Sequence, residues 1–219
     1  MYDDNCLFML YSPTSRPNLY NVLHYYLFHG KDLNTSDGRP IRPLQIMRSG
    51  RHTPDVTIVG GGLVVSSAVR SKLSRFKGVE YRPVHFKKLV DCDYPVGDFS
   101  YYDSGDFLAD PFSHDPETLI DRLPDHPELH DHAGEHYEIV VPHYEDIKPD
   151  RFRAGSSIRV VVPEDDEYVD LGDGPFRVTR DMIQEYPIFQ NGDFFVNGEC
   201  AKLISEFIDS PFYKMAKVV

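Results

Sequence analysis

Apolar and polar positions along this chain follow two periods, one close to two residues and one close to three and a half. CLFMLY (6–11) is a short apolar run bounded by polar residues and Pro13, the pattern of a buried strand. Leu19, Val22, Leu23, Tyr26 and Leu27 recur at helical spacing between Pro17-Asn18 and Gly30, and predict an amphipathic helix. Residues 31–54 are polar and carry Pro40, Pro43 and Pro54, so they read as loop. VTIV (56–59) and LVV (63–65) read as strands turned by Gly60-Gly61-Gly62. Ser66-Ser67 then offers a capping hydroxyl to a helix with Val69, Leu73 and Phe76 on one face. Gly78 is expected to stop that helix, and VEYRPVHF (79–86) reads as extended because Pro83 has no place inside a helix.

A similar unit closes the chain. PIF (187–189) and DFFV (193–196) flank the turn Asn191-Gly192, and Asn197 is placed to cap a helix whose apolar stripe is Cys200, Leu203, Ile204, Phe207 and Ile208. LVVSSAVRSKLSRF (63–76) and FFVNGECAKLISEF (194–207) therefore echo one another in architecture, each a strand, a cap and a helix. YEIVV (137–141) and IRVVV (158–162) add two more strands. The expected fold is α+β, a mixed or antiparallel sheet with helices packed on it, plus a long acidic, His-rich insertion over 91–136 with one short helix around Leu119, Ile120 and Leu123. The expected division is a single domain over 1–219, or two sub-lobes, 1–90 and 137–219, joined by that insertion.

Charge sharpens this picture. Lys and Arg number 23 and Asp and Glu 35, a net charge of −12, which runs against the basic groove a general nucleic-acid binder needs. The charge is unevenly spread, with 13 basic and 6 acidic residues over 1–90, and only Arg122 and Lys148 against 17 acidic residues over 91–150. Such a segment repels itself unless a positive surface lies against it, either the first third of the same chain or a basic partner. Cys6, Cys92 and Cys200 are odd in number and far apart, which points to reduced thiols. No apolar run is long enough to span a bilayer and the first residues are acidic, so the expected location is cytoplasmic, with no membrane span.

Candidate chemistry is sparse. His130, His132 and His136 in HDHAGEH, flanked by Asp131 and Glu135, could supply imidazole and carboxylate ligands to zinc, as in a metal-dependent hydrolase, although the preceding residues carry two prolines and no strand pattern. The competing reading is a polar loop, with no metal and no cofactor. There is no G-x-S-x-G elbow, the triple glycine lacks the spacing of a phosphate loop, and Cys200 reads as a buried small hydrophobe. EDDE (164–167) reads as a solvated turn.

The stretch from Asp55 to Val84, with VVSSAVRSKLSRFKGVEYRPV at its centre, and with it PIFQNGDFFVNGECAKLISEF, resembles a bacterial family of unknown-function domains grouped with the immunity proteins of polymorphic-toxin systems, the eleventh such family. Its members show a VVS lead into an apolar helix, a GVEF-x-PV strand, and a closing IF…FVS strand-and-helix unit. The acidic stretch 91–136 is an addition to that pattern. The resemblance implies a non-enzymatic protein that protects its producer by binding a cognate toxin. An acidic surface would steer a toxin with a basic face, with Asp98, Asp103, Asp106 and Asp110 as rim contacts and Tyr101 and Tyr102 as aromatic anchors. The alternatives are the hydrolase above, or an adaptor whose acidic segment lies on its own basic first third.

Overall fold

The computed structural model describes residues 6–11, 31–49, 53–91, 116–147, 159–161, 168–170, 178, 180–208 and 214–218. Gly60 and Gly61 both have positive φ, 56° and 70°, as the central residues of a type I′ hairpin turn require and as side chains resist. They join β4 (Val56–Val59) to β5 (Gly62–Ser66) in an antiparallel pair. Ser66 is extended, its hydroxyl accepts from the Val69 N–H, and α1 (Ser67–Leu73) follows. The helix ends at Leu73, well before Gly78, whose φ of 75° turns the chain into β6 (Glu80–Pro83). The stretch expected as one extended segment divides at Val84, so that β7 (His85–Val90) joins a different sheet.

The second unit repeats this construction. β11 (Ile188–Asn191) turns at Gly192 into β12 (Asp193–Asn197), and the Asn197 side chain accepts from the Cys200 N–H at 2.9 Å to open α6 (Gly198–Ser205). Caps of this kind contribute about 1 kcal/mol each. The match extends to details. Val69 and Leu73 are fully buried, as are Cys200 and Ile204 at the corresponding turns of α6. Ser74 Oγ donates to the Ser71 carbonyl at 2.8 Å, as Ser205 Oγ does to that of Lys202.

The register shows that each unit takes its central strand from the other half of the chain. Beside β5 lies β8 (His136–Val140), with Ser66 opposite His136 and Leu63 opposite Ile139. Beside β12 lies β1 (Leu7–Tyr11), with Asn197 opposite Leu7 and Phe194 opposite Leu10. On the far side, β6 pairs with β8 as β13 (Lys214–Val218) pairs with β1. The orders β4-β5-β8-β6 and β11-β12-β1-β13 thus correspond strand for strand. One difference has a local cause. Lys217 in β13 pairs onward with Val161 of β9 (Arg159–Val161), which pairs with β10 (Tyr168–Asp170). The corresponding residue of β6 is Pro83, which lacks an N–H for a further ladder, and among the described residues β6 ends its sheet.

The inner faces of both units and their helices share one core. Leu63, Val65, Val69, Leu73 and Ile139 meet Phe8, Leu10, Phe194, Val196, Cys200 and Ile204 there. The outer faces are covered differently. Leu7, Met9, Phe189 and Phe195 pack on Tyr144 of α4 (Tyr144–Ile147) and on Met182 and Ile183 of α5 (Arg180–Glu185), with the Phe189 and Phe195 rings stacked at 5.5 Å. Val59 and Val64 of the first unit instead face Leu44 and Ile46. Ile46 belongs to, and Leu44 leads into, a three-stranded sheet of β2 (Lys31–Asp32), β3 (Gln45–Ser49) and β7, whose first two strands form where the prolines suggest only loop. β3 pairs in parallel with β7, so its partner is distant in sequence. The fold is α+β, with antiparallel and mixed sheets and helices packed against them. The helix expected near residues 17–30 and the turn at 164–167 lie outside the described residues.

Candidate functional site

The acidic segment, where described, forms two short helices rather than one: α2 (Pro116–Arg122) and α3 (Pro127–Ala133). Both pack on β7, and α2 also on β3, with Leu129 and Ala133 buried against Leu89. Asp121 lies 3.4 Å from Lys31 Nζ, and its carbonyl accepts from Lys88 Nζ at 3.5 Å. Asp125 accepts the Leu89 N–H at 2.8 Å and pairs with His130 at 2.9 Å. The bond to His130, followed by that from Leu89, holds its carboxyl below the usual range. This part of the segment is thus docked on the basic first third of the same chain. Asp98, Tyr101, Tyr102, Asp103, Asp106 and Asp110 lie outside the described residues.

The three histidines of the zinc reading have separate surroundings. His130 and His132 are on α3, the first with Asp125 and the second exposed. His136 is buried in β8, its ring edge-on to Phe86 at 5.3 Å and its Nε2 within 3.2 Å of the Pro54 carbonyl. Among the described residues, no group of three or more His, Cys, Asp or Glu is placed to hold a metal ion.

Burial holds His136 below the usual imidazole range. The Arg48 charge adds to that effect, while the Pro54 carbonyl and Asp55 oppose it. As pH falls through about 6.5 the unfolded chain takes up a proton that the folded chain still refuses, so this residue lowers stability progressively from there downward. We expect the unfolding free energy to fall with acidification more steeply in the wild type than in His136→Leu, by up to about 1.4 kcal/mol per pH unit. Urea titrations between pH 7 and 5 check this; parallel pH profiles would contradict it.

The most unusual feature lies on the outer face of the first unit, under β2 and the residues that follow it. Glu138 is 5% exposed, and its Oε1 lies 3.0 Å from Arg42 Nη2, which also donates to the Gly60 carbonyl at 3.3 Å. The other oxygen, Oε2, is buried without a hydrogen-bond partner among the described residues. Gly62, expected as part of the turn, is instead the first residue of β5, and a Cβ there would lie 2.7 Å from Glu138 Oε1. Its bare backbone makes room for the carboxylate. Arg48, 2% exposed, lies on the same side near His136.

None of Glu138, Arg42 and Gly62 stood out in the sequence as a site residue. The available signal was the charged residue inside the strand candidate YEIVV, at a place that β1 fills with Met9 when HYEIV of β8 is set beside LFMLY. Elsewhere, Arg70 lies over the Tyr137 ring at 4.0 Å and the Tyr81 ring at 5.4 Å, and burial first, then Cys200, pushes the Tyr81 hydroxyl up to about 12. The Cys200 thiol is buried and raised well above its usual range, mainly by burial, as expected of a core residue. No helix among the described residues is long and apolar enough to cross a membrane. No protein-family model, curated protein or solved structure matches this chain.

Proposed function

We propose that the protein is a non-enzymatic, cytoplasmic binding protein of the immunity type, which neutralises a cognate toxin by occupying its surface. The observation that carries this reading is the location of the family-like stretches. They make up the two hairpin, cap and helix units around the shared core, so the resemblance lies in the framework of the molecule. The charge distribution supports the same reading. Asp121, Asp125 and Glu138 are engaged by the chain itself, and Glu128 and Glu135 have partners beside them, yet 17 acidic residues over 91–150 exceed what these contacts use. The remaining excess, with Asp98, Asp103, Asp106 and Asp110 at its centre, would steer a basic toxin domain, and Tyr101 and Tyr102 would anchor it.

The adaptor reading also has an observation in its favour, the docking of α2 and α3 on β3 and β7. Co-expression with the product of the neighbouring gene separates the two. The immunity reading expects growth rescue and a stable complex. It further expects that replacing Asp98, Asp103, Asp106 and Asp110 by Lys slows association by about tenfold or more at low salt. A correctly folded protein that forms no complex and gives no rescue would refute it.

A further inference from the structure

The two corresponding units provide an internal control for every position of the first. The place of Glu138, opposite Val64, is held in the second unit by Met9, opposite Phe195. The place of His136 is held there by Leu7. Met9 and Leu7 are both buried, at 2% and 6% exposure. The framework therefore accepts a plain apolar side chain at the point where the first unit carries a buried carboxylate. A buried ion pair contributes little compared with well-packed apolar residues, because desolvation offsets the attraction. With Oε2 unpartnered, that offset is especially poor here. The charge at Glu138 thus has a role other than the stability of the sheet.

Its partner indicates the role. Arg42 belongs to a small hairpin over residues 31–45, closed by its own bonds from Leu33 N–H to the Gln45 carbonyl, from Ile41 N–H to the Leu33 carbonyl and from Thr35 N–H to the Arg39 carbonyl. Residues 34–39 at its tip are exposed, so the hairpin buries little apolar surface of its own. It lies over the β4–β5 turn closely enough that a Cβ on Gly60 would meet Asp32, Leu44 and Pro40 at 3.2 to 3.4 Å. Leu44, fully buried, fixes the hairpin's base. Beyond it, the Arg42 guanidinium makes two contacts to the four-stranded sheet, to Glu138 and to the Gly60 carbonyl. The Arg42 side chain is 34% exposed, so water reaches one end of a pair whose other end is buried.

We propose that residues 33–43, hinged on the β2–β3 ladder, form a strap held closed over the outer face of the first unit by the Arg42–Glu138 pair, a releasable latch without which so small a two-stranded hairpin does not keep its own bonds. Gly62 is part of the latch, because it leaves the space in which the carboxylate meets the guanidinium.

Hydrogen exchange on the full chain tests this in three variants. Arg42→Met with Glu138→Met removes both charges and gives Glu138 the residue of its counterpart. The expected result is a melting temperature within about 2 °C of wild type, with the Leu33 and Ile41 amides exchanging about tenfold or more faster. The amides of β5 and β8 should keep their wild-type protection. Gly62→Ala, which displaces the carboxylate with all charges present, should loosen the same two amides. Arg42→Lys, which keeps the charge without the forked donor, should fall between wild type and the double variant. Unchanged strap exchange in the double variant would overturn the proposal. So would equal acceleration of the β5 and β8 amides, which would make the pair a support of the sheet itself.

Discussion

Leu10→Ala is expected to lower the unfolding free energy by about 3–5 kcal/mol, and Ile139→Ala by about 2–5 kcal/mol. Both side chains are buried, at 0% and 3% exposure, and both lie in the shared core. Leu10 is flanked by Phe194 on one side and Met215 on the other, while Ile139 sits between Leu63 and Tyr81. Each is held from both sides as well as from the helices, so neither cavity can collapse by a strand moving outward. Ile58, in β4 and only partly buried, is the control, and Ile58→Ala should cost no more than about 1 kcal/mol. Urea unfolding with an unchanged slope checks all three. A small loss at Leu10 beside a large one at Ile139 would mean that β1 is not the central strand of its sheet.

The elements legible in the sequence were those whose reasons are local. Gly60-Gly61 and Asn191-Gly192 announced hairpins, Ser66 and Asn197 announced caps, and the spacing of Val69, Leu73, Cys200 and Ile204 gave the buried faces of both helices. β3 stayed hidden because its reason is distant. QIMRS alternates only weakly, and it becomes a strand by pairing in parallel with β7. β13 stayed hidden in KMAKV for a similar cause, since its partners are β1, at the other end of the chain, and β9. The candidate site divided in the same way. The cluster HDHAGEH was conspicuous as composition, yet a helix end and the glycine that follows it put His130 and His136 on different elements. Glu138 and Arg42 were unremarkable in sequence, and nothing local joins a loop residue to a strand residue so far along the chain. The echo between the two units was the one long-range signal present. It reached only the strand, cap and helix, because the central strands that complete each unit are exchanged.

That exchange leads to the largest expected effect. A chain divided anywhere between residues 91 and 116 leaves each piece without the central strand of its own sheet. The first piece keeps β4, β5 and β6 but loses β8, and the second keeps β11, β12 and β13 but loses β1. Withdrawing β1 alone exposes Leu7, Phe8, Met9 and Leu10, all buried in the intact protein. At about 1.5–3 kcal/mol for each such side chain, the loss is about 6–12 kcal/mol, comparable with the whole stability of a typical domain. It also opens two strand edges in each sheet to wrong pairing. We therefore expect either piece expressed by itself to be unfolded or aggregated. Co-expressed, the two pieces should recover a one-to-one complex with the circular dichroism of the intact chain and wild-type exchange protection at Leu10 and Ile139. If either piece folds alone with protected β-sheet amides, the two units are self-sufficient and the exchanged strands are not what joins them.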